Sequence, residues 1–465
     1  MSGKDLITTA LLNRAFHSGV LPMLYRMIVY TRAQHDIIRR IANSAFMTIL
    51  AYPNLAIYVH HIDLRYVPPE MPNDTNQVLH SSNLSPLDEI RTAIGLCKNL
   101  RSFVCTSYSS WPFVDTLGTL NNLEYLGLRL SDDLVEGLET DALQTLLRIR
   151  CTRRLDLDHV SQSISNLLPS WISSFGATLR TLTLYSVKMP SAKILQAVLE
   201  NSPQITALHV VSCHNCLYND VLNLIKYTPT LESLSFTCQG EVHTTTYDVP
   251  STLRHLAIDL RPTFSNDSPE PFLPLITTWK CSLSSLSIRI FPEKTSLGKG
   301  LVPLILAHKS TLSYLSVPGS ELDGRDIRSI MKECTHLESL ALALKSLPVS
   351  VPMLAANISR STSLRMLIID RFEGALPQTM AETLLISLPS LREIATESEI
   401  WRVVGEESYH KTRANLVSEQ KRSGHYPLRR VAYWFIPPHH HRPIPCATSY
   451  DKYVHRSLQL YTTDH

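Results

Sequence analysis

The sequence predicts an α/β fold of one elongated kind: a curved, horseshoe-shaped solenoid with a parallel inner sheet and irregular outer helices, preceded by a small helical N-terminal segment. Three observations lead there. The chain has 465 residues, beyond the roughly 250 to 300 at which a single core stops growing, so it is either several domains or one repeat array. The pattern Leu-x-x-Leu-x-Leu, with similar apolar replacements, begins at positions 100, 123, 152, 179, 205, 231, 253, 283, 312, 337, 364 and 391, a period of about 26 residues that marks stacked supersecondary units. Each copy alternates apolar and polar residues as a half-buried strand does, and several intervening stretches space apolar residues at i, i+3 and i+4.

Taken in order, residues 1–30 read as helical. TRAQHDIIRRIANSAFMTILAYPNLA (31–56) is long and helix-forming, and VHHIDL at 59 reads as an early strand. VPPEMPNDTNQVLHSSNLSP (67–86) reads as an insertion loop, so 31–99 is a helical linker with a first irregular repeat. The array proper spans 100–400. Its clearest helices are SAKILQAVLENSP (191–203), GRDIRSIMKECT (324–335) and PQTMAETLLISLP (377–389). EVHTTTYDVP (241–250) lacks helical period and reads as a loop in a helix's place, and RPTFSNDSPEPF (261–272) reads as an exposed loop. LRRVAYWFIP (428–437) has the pattern of a late strand closing a cap over 401–437, and the aperiodic 438–465 is expected to be a disordered tail.

Over roughly residues 100 to 396 the repeat resembles the intracellular leucine-rich repeat. It departs from that family at the ninth position, which usually carries an inward asparagine or cysteine. Here Cys213 fits, whereas Ser131, Val160, Val187, Gln239, Arg261, Phe291, Ser320, Lys345 and Phe372 do not, so an incomplete side-chain ladder and an irregular arc are expected. Residues 5–26, DLITTALLNRAFHSGVLPMLYR, resemble the C-terminal half of an F-box as found in fungal F-box/leucine-rich proteins, through Asp5, Leu6, Leu12 to Phe16, Leu21, Pro22 and Leu24 to Arg26. The resemblance implies a substrate receptor of an SCF-type ubiquitin ligase, in which the array binds a target protein and the F-box binds the Skp adaptor of a cullin-based ligase. The adaptor-binding residues it implies are Leu12, Phe16, Leu21, Pro22 and Leu24. The first F-box half has no counterpart in the chain, so adaptor binding is expected to be weak or nil. The alternative is an F-box-independent leucine-rich interaction scaffold.

Composition narrows the partner. Lysine and arginine number 44 against 41 acidic residues, a net charge of +3, too small a field to draw in nucleic acid or anionic lipid. No stretch reaches the roughly 18 to 20 apolar residues that cross a bilayer. Nine scattered cysteines and the lack of a signal-like N-terminus predict a reducing compartment, cytoplasm or nucleus. Cys213-His-Asn-Cys216 has no answering pair, and His439, His440 and His441 are consecutive in a proline-rich tail, so neither is assigned a metal. No cofactor motif or catalytic signature appears, and no catalysis is expected.

What remains is surface. In each Leu-x-x-Leu-x-Leu unit the fourth and sixth residues face the core, so the third, fifth and seventh line the concave wall. Tyrosine and arginine, the types enriched at binding hot spots, concentrate between 123 and 211. The candidate protein-binding residues are Tyr125, Arg129, Arg154, Asp156, Asp158, Tyr185 and His209. They are expected to be exposed, to form one contiguous patch across four strands ~4.8 Å apart, and to meet a polar protein surface. Alanine at Tyr125 and Arg154 is expected to leave folding nearly intact.

Overall fold

The computed structural model describes residues 14–32, 44–68, 84–106, 110–130, 140–188, 191–239 apart from 214, 247–261, 272–290, 300–318, 322–343, 351–370, 378–396, 399–403 and 416–420. Sixteen strands form one sheet in strict chain order: β1 (Met27–Tyr30), β2 (His61–Leu64), β3 (Ser102–Cys105), β4 (Tyr125–Arg129), β5 (Arg154–Asp158), β6 (Thr181–Tyr185), β7 (Ala207–Val211), β8 (Ser233–Gln239), β9 (His255–Arg261), β10 (Ser285–Ile290), β11 (Tyr314–Ser316), β12 (Ser339–Ala343), β13 (Met366–Asp370), β14 (Glu393–Thr396), β15 (Glu399–Val403) and β16 (Leu416–Gln420). β1 to β14 pair in parallel; β15 and β16 are antiparallel. The molecule is an α/β leucine-rich-repeat solenoid.

The repeat's fourth residue explains the stacking. Leu126, Leu155, Leu182, Leu208, Leu234, Leu256, Leu286, Leu315, Leu340 and Leu367 lie directly beside one another on β4 to β13. All are buried, and burying each contributes roughly 1.5 to 3 kcal/mol. No unit can bury its leucine alone, so the stack is the folding unit. At the strand starts, one carbonyl receives two N–H groups from the next repeat: Arg101 O accepts from Glu124 N at 2.7 Å and Tyr125 N at 2.9 Å, and the arrangement recurs at Glu124, Arg153, Arg180, Thr206 and Glu232. At the strand ends, His159, Ser186 and Ser212 occupy equivalent positions with φ of 51°, 53° and 57°. This left-handed turn aims the N–H of His159 at Tyr185 O and that of Ser186 at Val211 O, both at 2.9 Å.

Helices close the convex side at Ala192–Glu200, Gly324–Glu333 and Gln378–Ser387, where the periodicity predicts them. The second starts at Asp323, whose carboxylate accepts from the N–H groups of Arg325 and Asp326 while Asp326 returns a bond to the N–H of Asp323, a capping box. The helix Gln162–Ser173 leads to Gly176, which packs against the Asn201 carbonyl of the next repeat. The ninth positions Val160 and Val187 are buried apolar groups, and only Cys213 donates its thiol, to Leu184 O at 3.4 Å.

Several boundaries move. The sheet begins at Met27, inside the 1–30 segment expected to be helical, and β2 joins it directly, so the parallel array starts well before residue 100. Met27-Ile-Val-Tyr30 is a four-residue alternation, too short to stand out beside helical neighbours. Residues 31–56 do not form one helix. Ser44 caps a new one, Ala45–Ala51, by accepting from Met47 N at 3.0 Å, and Pro53 opens a 3-10 turn through Tyr58. The reading of 67–86 as a loop falls mainly on residues outside the described ones, and Ser85 already caps the helix Pro86–Leu96. Between β8 and β9 no helix occurs among the described residues; 240–246 and 262–271 lie outside them, as do residues 428–437, expected to form a strand, and 438–465, expected to be a disordered tail. The described part of the 401–437 cap is antiparallel β-structure. No helix among the described residues is long and apolar enough to cross a membrane.

Candidate protein-binding face

The in-register strands arrange the concave side chains in three rows. The first runs Tyr125, Arg154, Thr181, Ala207, Ser233, His255; the second Gly127, Asp156, Thr183, His209, Ser235, Ala257. The third begins Arg129, Asp158, Tyr185, Val211. The seven predicted residues therefore do lie on four adjacent strands. They are not equally accessible.

Asp156 is the centre of a closed network. It accepts from Tyr125 Oη at 2.8 Å and from Arg154 Nε at 3.1 and 3.0 Å, with Arg154 Nη2 at 2.8 Å. The Arg154 guanidinium lies 4.7 Å from the Tyr125 ring centroid, a cation–π contact. Gly127 makes room: a Cβ there would stand 3.2 Å from Val104 and 3.6 Å from the Tyr125 hydroxyl. Burial, the largest effect, opposes ionisation of Asp156, but the Arg154 charge together with the hydrogen bonds from Arg154, Thr183 and Tyr125 outweighs it and holds the carboxyl below its ordinary value. Burial, reinforced by Asp156, pushes the Tyr125 phenol up.

A second network occupies the third row. Asp158 meets His159 Nδ1 at 2.5 Å and Arg129 Nη1 at 3.9 Å. Tyr185 packs edge-on against the His159 ring and touches Val211 and Ala257 in a small apolar patch. Burial, then the charge of Asp158, pushes its phenol up. Arg261 binds Asp259 at 2.7 Å and donates to Ser212 Oγ at 2.6 Å.

Three predicted residues thus require correction. Asp156, Asp158 and His209 are 3%, 0% and 1% exposed, because longer neighbours lie over them: Tyr125 and Arg154 over Asp156, Arg129 and His159 over Asp158, and His209 bonded sideways to Ser235 Oγ at 2.8 Å. The acids anchor; Arg129, Arg154 and Tyr185, half-buried, face the solvent side. Alanine at Tyr125 and Arg154 would strand a buried carboxylate, so the expectation of intact folding does not hold. Asp259, Arg261, Ser212 and His159 were not among the candidate binding residues. The spacing Asp259-x-Arg261 repeats, in reverse order, that of Arg154-x-Asp156, and that signal marks this pair but not Ser212 or His159.

At the N-terminus, Leu21, Pro22 and Leu24 are half-buried on the helix Arg14–Tyr25, which packs on the turn Pro53–Tyr58. Leu12 and the Phe16 side chain lie outside the described residues. Burial pushes the Cys213 thiol up to about 12, which disfavours the thiolate that thiol exchange needs. Among the described residues no cluster of three metal-binding side chains occurs.

No family model and no curated protein matches the chain. Among solved structures, the yeast Rad7 and Elc1 complex is similar at a TM-score of 0.39 and 15% identity, over 63% of this chain and 75% of that one. The leucine-rich-repeat protein LIC12759 of Leptospira interrogans is similar at a TM-score of 0.32 and 16% identity, over 79% of this chain and 99% of that one.

Proposed function

We infer that this chain is a non-catalytic recognition module whose concave face binds a target protein. One observation carries the reading: on β5 and β9 buried carboxylates hold Arg154 and Arg261 in fixed poses, with Tyr185 on β6 between them, giving a surface of oriented donors and aromatic bulk of the kind that makes hot spots. Burial and the neighbouring carboxylates push the Tyr125 and Tyr185 phenols up, so both rings offer a neutral hydroxyl to a partner. The finer reading, a receptor of an SCF-type ubiquitin ligase that engages a Skp adaptor, rests on the resemblance of residues 5–26 to half an F-box. The alternative is an interaction scaffold that acts without the adaptor.

Affinity purification with mass spectrometry, with and without proteasome inhibition, tests the first part when wild type is compared with Ala207→Arg. Ala207 is a small concave residue, so the arginine adds bulk without removing any bond. Partners that accumulate on inhibition and vanish with the variant support the receptor reading; partners indifferent to the variant overturn the concave face. A pull-down with purified Skp adaptor separates ligase receptor from scaffold.

A further inference from the structure

The rim at the strand starts holds a feature that the concave rows do not use. An open groove of about 600 Å³ is lined by Thr152, Arg153, Arg154, Thr178, Arg180 and Thr181. Three guanidiniums and three threonines make its walls, with no carboxylate among them. Arg154 is oriented by Asp156, and Arg180 Nη1 by Gln204, through the backbone O at 3.1 Å and Oε1 at 2.7 Å. Arg180 has no carboxylate partner among the described residues. Arg153 meets Glu124 only at 3.6 Å, and Glu124 is shared with Arg101 at 3.4 Å. The groove therefore carries more positive charge than its surroundings cancel.

Its extent identifies the ligand's chemistry. Backbone hydrogen bonds order the rim as Glu124, Arg153, Arg180, Thr206, Glu232, so the basic stretch spans only two strands, ~5 Å apart, with Glu124 on one side and Glu232, beyond the neutral Thr206, on the other. A nucleic-acid backbone needs a longer, uniformly basic track. Two or three carboxylates of an extended peptide match this length, and arginine binds carboxylate through paired N–H donors. Arg154 and Thr181 belong to both the groove and the first concave row, so one bound segment would run from the rim onto the concave wall.

We propose that this groove docks an acidic, Asp/Glu-rich segment of the protein that the concave face recognises; the proposal rests on that face being a protein-binding surface. The probe is fluorescein-labelled deca-glutamate, titrated with the full chain in low salt and followed by anisotropy. Arg153→Glu/Arg180→Glu should weaken binding by about tenfold or more, because both side chains are exposed and neither supports the core. Arg254→Glu/Arg365→Glu, an equal charge change farther along the rim, should leave it within about twofold of wild type on the same argument; circular dichroism verifies that both variants fold. Deca-glutamine should not bind. Absence of deca-glutamate binding, equal loss in the two double variants, or tighter binding of deca-thymidylate at the same salt would each overturn the proposal. The two readings also fail separately. A captured partner lost with Ala207→Arg but retained with Arg153→Glu/Arg180→Glu removes the acidic-segment proposal and keeps the face, whereas one retained with both removes the face as well.

Discussion

Replacing Asp156 by asparagine removes one negative charge and little else. The side chain keeps its size, yet Arg154, three-quarters buried, loses its counter-ion and Tyr125 loses a charged acceptor. Breaking a buried pair by removing one partner costs about 3–5 kcal/mol; the residual exposure of Arg154 and the amide oxygen that still accepts one bond lower the expected loss to about 2–3 kcal/mol. Because a repeat array need not unfold in one step, the assay is native-state hydrogen exchange at the amides of β4 to β6, beside urea unfolding. A cycle with Arg154→Leu isolates the pair, since the double variant should recover part of the loss. The pH dependence has a definite sign. The folded pKa of Asp156 lies below the ordinary 3.8, so its contribution is complete above about 3.8 and fades as pH falls through the folded value. The gap between wild type and Asp156→Asn should therefore narrow in acid. A loss under about 0.5 kcal/mol, or no coupling to Arg154, would refute the reasoning.

Gly176→Ala would drive a Cβ into the Asn201 carbonyl and to 2.7 Å from Ser202 Oγ, and should cost about 1–3 kcal/mol in urea melts. Ser186 holds a left-handed turn at φ 53°, so Ser186→Gly should stay within about 1 kcal/mol of wild type whereas β-branched Ser186→Val should lose roughly 1–2. Tyr125→Ala/Arg154→Ala should destabilise the array and not merely weaken binding, visible as lost exchange protection in β5. The Cys213 thiol, raised from 9.0 to about 12, should alkylate about a thousandfold more slowly in the folded than in the unfolded chain at pH 8, on thiolate fraction alone, as peptide mapping would show.

The array was legible because its signal is redundant: ten stacked leucines at one register position each repeat the same message. Elements without that redundancy were not. Met27–Tyr30 is too short to compete with flanking helix patterns, and the break at Ser44 depends on one side-chain bond. For the site, alternation placed all seven residues on the concave side, but alternation fixes direction and not depth. Whether Asp156 reaches solvent depends on which of its neighbours is long, and Tyr125 and Arg154 come from different faces of the same arithmetic: one is a strand away, the other two residues away. The rim groove was invisible because Arg153 and Arg180 sit at the second repeat position, just before their strands, where the period-2 pattern carries no constraint.

The buried acids beneath the arginines shape how this surface can change over generations. On β5 and β9 a guanidinium and its carboxylate are locked together, so a mutation of either alone passes through an intermediate with a stranded charge, and new specificity there requires paired changes. Arg153 and Arg180 have no such debt. If the rim docks a partner as proposed, single substitutions there would alter its preference while the fold stays put, and change would run from the rim inward, with the central concave residues the slowest to be rewritten.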